Sequence, residues 1–218
     1  MSTAPRRGVP GLTRERIVAA ALDLGDARGL AGVSMRRVAE VLGCDPMALY
    51  WHVRNKEDLL DAVADTVLAE LVVPASGDWP GRLRATCLDL RRILLAHPAA
   101  AQRFATRPPL GPHAVRACEA VLGVLGSAGT SPAGAARLLQ TLVSYTVGAV
   151  AQELATPSRA AATRTDEVRR TLGGLSPTDF PLTAAAAGHL VSRTGAEAFA
   201  AGLDLILAGA RRPGVLSR

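Results

Sequence analysis

Aromatic side chains are scarce in this chain: they make up only 3% of its 218 residues, whereas hydrophobic residues make up 49%. A core must therefore be built from alanine, leucine and valine, whose side chains pack well between closely spaced helices. A chain of this length can form one large domain or two modest ones. The composition favours an all-α protein.

Cysteine is also scarce, and its three positions, Cys44, Cys87 and Cys118, are far apart. The sequence has no Cys-x-x-Cys pair and no cysteine and histidine spacing typical of a metal site, so we predict no metal ligand. A nucleophile elbow, a phosphate-binding loop and paired carboxylates are missing as well. These absences argue against an enzyme and give no reason to expect a cofactor.

No segment predicts a secretory signal or a membrane span. The first eleven residues contain Arg6 and Arg7 without an apolar run behind them, and we interpret residues 1–11 as a disordered basic arm. The most apolar segments, 133–155 and 196–210, are interrupted by charged or amide side chains, and the second is short for a span. Together with the scattered cysteines, this predicts a cytoplasmic protein with no membrane partner.

Lysine is almost absent, because Lys56 is the only one and arginine supplies the other basic side chains of a chain with net charge +6. A basic balance permits binding to nucleic acid but does not prove it. The preference for arginine is equally consistent with a bias in codon composition. The charge alone therefore does not identify a partner.

Helix signals are dense in residues 12–72, which we predict to be a three-helix helix-turn-helix DNA-binding domain continued by a fourth helix. Helix N-caps are residues whose side-chain oxygen accepts a backbone N–H of the first turn, and four are expected here: Thr13, Ser34, Asp45 and Asn55. Glycines after the first and second helices, Gly29 and Gly43, are typical of C-caps. The turn 43–45 has the length that a helix-turn-helix needs.

The short third helix of this domain has an unusual outward face. Leu49 and Val53 lie four residues apart and are predicted to face the core. The face left outside is apolar with polar tips, which suits a DNA major groove: Met47, Ala48, Tyr50, Trp51 and His52. The alternative is that Tyr50 and Trp51 are core residues of a small bundle.

Residues 73–218 are predicted to form a second helical domain after a break rich in proline, glycine and serine. Helices are expected at about 81–96, 98–106, 112–126, 132–154, 183–192 and 195–209, with a surface loop and at most one poorly ordered helix at 156–181. Two apolar stripes are able to pack inside the chain or against a second copy: Leu139, Val143, Val147 and Val150, and Phe199, Leu203, Ile206 and Leu207.

The runs GVSMRRVA at 32–39, LYWHVRNK at 49–56 and LLDA at 59–62 closely resemble the DNA-binding domain of the Tet repressor family of transcriptional regulators. The resemblance implies phosphate contacts by Ser34 and Lys56, a base contact by Arg36, and a place beside the DNA backbone for Met35. It further implies that Pro46, Met47 and Ala48 face bases and that Tyr50, Trp51 and His52 line the backbone and groove wall. The tetracycline repressors have glutamine and threonine where this chain has Pro46 and Ala48, so their operator sequence does not transfer.

A weaker resemblance to the same family covers the second half, at LLAHP (94–98), TRP (106–108) and AFAAGLDLIL (198–207). It implies a ligand-binding and dimerisation domain in which the helices at 132–154 and 195–209 pack against their symmetry mates. Candidate walls of the ligand pocket are Leu90, Leu94, His97, Phe104, His113, Val121, Gln140, Tyr145 and Gln152. Val72 replaces a histidine of the tetracycline repressors, so a magnesium–tetracycline ligand is not expected.

These features predict a homodimeric, sequence-specific transcriptional regulator of double-stranded DNA. The expected mechanism is repression at a palindromic operator, from which a small-molecule effector releases the protein. The alternative is a transcriptional activator or an architectural DNA-binding protein that has no small-molecule ligand.

Overall fold

A computed structural model of the chain describes residues 11–155, 158–190, 195–212 and 215–216, and these residues form helices and no strand. The all-α prediction is confirmed; the predicted basic arm lies outside the described residues except for Gly11. The helices are α1 (Arg14–Arg28), α2 (Met35–Leu42), α3 (Pro46–Leu49), α4 (Lys56–Thr66), α5 (Trp79–Ala96), α6 (Pro98–Thr106), α7 (Pro112–Ser127), α8 (Pro132–Leu154), α9 (Ser158–Gly173), α10 (Pro181–Leu190) and α11 (Ala196–Ala210), with 3-10 helices at Leu30–Gly32 and Val67–Glu70. None of the described helices is both long and apolar enough to cross a membrane.

The first four helices, here called the head, pack around one apolar core. All four predicted N-caps form, each accepting a backbone N–H of the first turn: Thr13, Ser34, Asp45 and Asn55. Gly43 adopts the left-handed conformation, with φ 64°, and ends α2. The side chains that fill this core include Ile17, Ala21, Val38, Leu49, Val53 and Leu59.

The helices α5 to α11, here called the body, contain a second core between α5, α7, α8 and α11. A third apolar cluster joins the two parts, because Ala64 of the head and Val67 of the 3-10 helix after it pack with Ile93, Leu94 and Ala100 of the body. The junction between head and body is therefore a packed interface. A displacement in the body can reach the head through it.

The segment 156–181 was predicted to be a surface loop with at most one helix; one helix is present, but it takes up more of the segment than the predicted loop does. Helix α9 occupies Ser158–Gly173 and packs against α10. The sequence of α9 is rich in arginine, alanine and threonine and has few large apolar residues. Helix propensity rather than an apolar stripe supports it, so a search for hydrophobic periodicity misses it.

Half of the residues of the two apolar stripes are buried in the interior of the single chain. Phe199, Leu203 and Leu207 of α11 are buried in the body core, and Val150 of α8 is buried in the cluster that joins head and body. The opposite face of α11 carries Leu205, which is 76% exposed. The other stripe residues, Leu139, Val143, Val147 and Ile206, are half-buried and keep some surface for a contact with a second copy.

Candidate nucleic-acid interface and small-molecule cavity

The turn between α2 and α3 fixes the direction of α3. Asp45 accepts the Met47 N–H through Oδ1 at 2.7 Å, and Cys44 donates its N–H to the Ala39 carbonyl at 3.0 Å. Helix α3 is only a single turn, but Leu49 is 0% exposed and anchors it. The Val53 N–H still donates to the Leu49 carbonyl at 3.0 Å, so the chain coils on through residues 50–52.

The outer face of α3 and of this coil is open to solvent. Met47 is 67% exposed, Tyr50 46% and Trp51 83%, while Ala48 and His52 are half-buried and Pro46 is exposed. The alternative that Tyr50 and Trp51 are core residues is therefore wrong. Large apolar groups that lie together in water indicate a surface that another molecule covers.

Two neighbouring arginines of α2 have different roles. Arg37 donates through Nη1 to the Gly32 carbonyl at 3.0 Å, so its side chain folds back onto the head. Arg36 is held by Glu40 of the same helix, with 3.1 Å between Nε and Oε1, and both side chains are exposed. Because Glu40 occupies Nε, the Nη1 and Nη2 edge of Arg36 remains for a second bidentate partner. Ser34 and Met35, at the start of α2, are half-buried.

The segment that follows α3 is fastened to α1 and α4. Arg14 donates through Nη1 to the His52 carbonyl at 2.7 Å and pairs with Asp58 at 3.3 Å. Asp58 also accepts the Arg54 N–H at 2.9 Å. Lys56 is the first residue of α4, at the positive end of the helix dipole.

We expect the head to lose stability in acid through Asp58. The Arg54 N–H and then Arg14 hold the pKa of this carboxyl below its ordinary value of 3.8. A lowered native pKa stabilises the fold above the unfolded-state value, and this contribution is lost as the pH falls through the native value. The difference in free energy of unfolding between the wild type and Asp58→Asn should therefore be largest near pH 6 and shrink below about pH 4. Urea titrations across this range check it, and a difference independent of pH would contradict it.

The body contains an apolar cavity of about 130 Å³ between α5, α6, α7 and α8. Its described lining has no charged side chain, and the Thr86 hydroxyl donates to the Arg82 carbonyl at 2.9 Å. Burial raises the pKa of the Cys87 thiol to about 11 and also raises that of Cys118. Both thiols are therefore neutral at pH 7, and the cavity favours an apolar, uncharged group. The lining residues are Leu68, Leu71, Leu83, Thr86, Cys87, Leu90, Phe104, Pro108, Pro109, Ala114, Ala117, Cys118, Val121, Leu139, Leu142 and Val143.

Three of the predicted pocket residues, Leu90, Phe104 and Val121, line this cavity. Leu94, four residues after Leu90 on α5, is instead fully buried in the cluster between head and body. Tyr145 stacks on Phe199, with 5.2 Å between the ring centroids. The two glutamines, Gln140 and Gln152, lie on exposed positions of α8.

The two predicted pocket histidines lie at the junction of head and body instead. The ring of His97 lies 2.7 Å from Asp26 Oδ2 and 3.3 Å from Glu70 Oε1. His113 lines a second, polar cavity of about 510 Å³ between α1, α4 and the start of α7. Both side chains are thus placed between the two parts of the molecule and not in the apolar cavity.

Sequence reasoning missed most of the cavity wall on α7, which consists of Ala114, Ala117, Cys118 and Val121. These positions follow the spacing of one helix face, so periodicity could have found them. The residue types gave no indication of a ligand contact, because small side chains occur equally often where two helices pack closely. Their small side chains are what leaves the volume open.

Family models match both parts of the chain. The model of "Bacterial regulatory proteins, tetR family" matches residues 17–63, and that of "Tetracyclin repressor-like, C-terminal domain" matches residues 73–212. Tetracycline repressor protein class C of Escherichia coli is 34% identical over 203 residues, which cover 91% of this chain and 90% of that protein. An HTH-type transcriptional regulator of Saccharopolyspora erythraea is 38% identical over 149 residues, and the match covers 67% of this chain but only 63% of that regulator.

Solved structures agree over nearly the whole length. The TetR family protein ActR of Streptomyces coelicolor in complex with actinorhodin is 34% identical, with a TM-score of 0.87 and coverage of 93% of this chain and 96% of that one. The same protein in complex with (S)-DNPA gives a TM-score of 0.84, with coverage of 93% of this chain and 98% of that one. The helix-turn-helix head, the helical body and these matches together show that the chain belongs to the tetR family of bacterial transcriptional regulators.

Proposed function

We propose that the protein is a homodimeric repressor that an apolar, ring-containing small molecule releases from a palindromic operator. The exposed apolar face of α3 carries this proposal, because Asp45 caps the helix and Leu49 anchors it while Met47, Tyr50 and Trp51 stay exposed among the described residues. In the proposed complex Met47 and Ala48 meet bases, Pro46 lies at their edge, and Tyr50, Trp51 and His52 lie along the groove wall. The proposed boundary between the DNA-binding and effector domains is at 72–73.

The dimer is proposed to form through the outer faces of α8 and α11. The exposed residues of these faces are mostly small, so helices of two copies can approach closely: Thr141, Ser144, Gly148 and Ala151 on α8, and Ala201, Leu205 and Ala208 on α11. A two-fold dimer would place its two α3 helices in successive major grooves about 34–36 Å apart. Because the two copies are related by symmetry, the operator is expected to be palindromic.

The effector is proposed to enter the apolar cavity of the body. An apolar space of about 130 Å³ that is partly open to solvent is on the order of the volume that holds a single benzene ring. A larger effector such as the actinorhodin bound by ActR would have to widen the cavity. The effector would bind more tightly to the conformer with the wider cavity. It would thereby shift the equilibrium toward a dimer whose two α3 helices have a spacing that no longer fits DNA.

The first test is a selection of random DNA duplexes on the purified protein at two salt concentrations. Recovery of a palindrome with half-sites about one helical turn apart is the expected result. Binding that has no sequence preference and disappears at moderate salt would show that charge alone drives contact and would overturn the proposal. An operator that the protein bends, with no release by any apolar compound, would instead indicate an architectural factor.

Replacing Arg36 by alanine is expected to weaken operator binding by about 1–3 kcal/mol and to relax specificity at one base pair. The free Nη edge of this side chain is suited to the O6 and N7 atoms of a guanine. Binding titrations on the selected operator and on its single-base variants measure both effects. Arg37→Ala is the matched control, because Arg37 folds back onto Gly32; an equal loss on random DNA would refute the base contact.

Replacing Lys56 by alanine should weaken binding to all sequences alike. A lysine at a helix N-terminus contacts phosphate without reading sequence, so its loss should lower the slope of log affinity against log salt by about one. Titrations at four salt concentrations give the slope. An unchanged slope would exclude the phosphate contact.

A further inference from the structure

Four carboxylates of the head bind the body across their junction, and one of them, Glu57 of α4, pairs with Arg103 at 2.8 Å. Asp26 of α1 accepts the Ala99 N–H at 3.2 Å, and Asp61 of α4 pairs with Arg103 at 2.6 Å. Asp65 of α4 is the one of these four that is buried, with 5% exposure. Both of its partners are backbone N–H groups of α7, which lines the cavity.

Asp65 caps the N-terminus of α7 from another part of the molecule. Its two oxygens accept the His113 N–H at 3.2 Å and the Ala114 N–H at 2.8 Å. Most helices here are capped by their own preceding side chain, but α7 follows Gly111, which has none. A methyl group at Gly111 would overlap the Asp65 carboxylate, although the backbone there is ordinary, with φ −79°. Glycine is therefore needed at this position for space and not for conformation.

The same first turn of α7 forms a wall of the effector cavity. Ala114 donates to Asp65 and also lines the cavity, and Ala117, Cys118 and Val121 continue that wall. At its other end α4 begins with Lys56 and carries Leu59, which is buried in the head core with Leu49 of α3. One helix thus connects the capped end of α7 to the DNA-binding face.

We propose that Asp65 is the positioning residue that couples occupancy of the cavity to the placement of α3. An occupant that moves the start of α7 withdraws two N–H donors from a buried carboxylate. A buried charge without its hydrogen bonds is costly, so α4 follows α7 rather than losing the contact. This inference rests on the proposed function, because it assumes that the cavity is the effector site and that α3 binds the operator.

The cavity can be filled without knowing the effector, because Cys118 lines it and is also exposed. N-phenylmaleimide at pH 8.5 provides a neutral aromatic group for this thiol, while Cys87 is buried and its pKa is about 11. Cys44, which lies in the turn before α3, is replaced by serine, and Cys44→Ser is the reference protein. Mass spectrometry establishes one adduct per chain before any binding is measured.

In the reference protein the adduct is expected to weaken operator binding about 5- to 150-fold, the usual range of allosteric coupling. Adding Asp65→Asn should reduce this ratio to less than about 2-fold, below that range. Gly111→Ala should do the same from the α7 side, because its methyl group displaces the carboxylate. Asp78→Asn is the matched control: Asp78 caps α5, another cavity-lining helix, through the Gly81 N–H at 3.1 Å, but lies entirely within the body. It should keep the full response.

An Asp65→Asn protein that responds to the adduct as strongly as the reference would overturn the proposal, and so would a reference protein that does not respond. If the selection yields no operator, the proposed function fails, and amide hydrogen exchange then tests Asp65 alone. The adduct, Asp65→Asn and Gly111→Ala should each accelerate exchange at residues 113 and 114 of the full chain. Unchanged exchange there would overturn the coupling, and the unfolding midpoint of each variant shows that it is folded.

Discussion

Leu49→Ala is expected to destabilise the head by about 2–5 kcal/mol and to abolish operator binding. Leu49 is 0% exposed and is the one large apolar anchor of α3, a helix of a single turn. Truncation leaves a cavity beneath this turn, and Val53 alone cannot hold the outward face in place. A helix this short has no stability of its own, so its position depends on this packing.

Chemical unfolding followed by circular dichroism measures the stability, and operator titration of the folded fraction measures binding. Val41→Ala on α2 is the matched control, because it also removes apolar atoms from the head but at a side chain that is 62% exposed. Its effect on stability should stay within about 0.5 kcal/mol. A Leu49→Ala protein that kept both its stability and operator affinity would show that Asp45 and the turn alone orient α3.

Local chemistry explains which features of the head could be predicted from sequence. A cap joins residues two or three apart, as in the bond from the Met47 N–H to Asp45, so the residue types suffice. The outward face of α3 could be predicted from the same local reasoning. Leu49 and Val53 occupy the side of the short helix that faces the core, so Tyr50 and Trp51 must face outward. The length of α3 was overestimated, since regular helix ends at Leu49 although the chain coils on to Val53.

Contacts between distant residues could not be predicted in this way. The Asp65 cap of α7 joins positions 49 apart at Ala114, and His97 meets Asp26 across 71 residues. His97 was predicted to line the ligand pocket as one of the candidate wall residues of the second domain. Its partners on α1 and beside α4 place it at the junction instead, and nothing near it in the sequence indicates them.

Arg91→Ala is expected to cost the body about 3–5 kcal/mol, because it removes one partner of a poorly exposed ion pair. Arg91 of α5 donates through Nη2 to both oxygens of Glu153 of α8, at 2.9 and 2.7 Å, and the two side chains are 14% and 17% exposed. The guanidinium also lies 5.6 Å from the centre of the Phe199 ring of α11. Truncation leaves the Glu153 carboxylate without its main partner and removes a contact between three helices.

A double-mutant cycle with Glu153→Gln separates the pair from the packing, with stability measured at equal protein concentration because a dimer is expected. Arg91→Lys keeps the charge but loses the planar fork and the stacking on Phe199, so its cost should fall between the wild type and Arg91→Ala. Arg91→Leu combined with Glu153→Met should recover most of the loss, since apolar replacement of a buried pair is often neutral. Additive single effects would mean that Arg91 stabilises the body through its contact with Phe199 and not through Glu153. Arg91 would then hold α11 rather than α8, and the proposed dimer face on α11 would depend on Arg91.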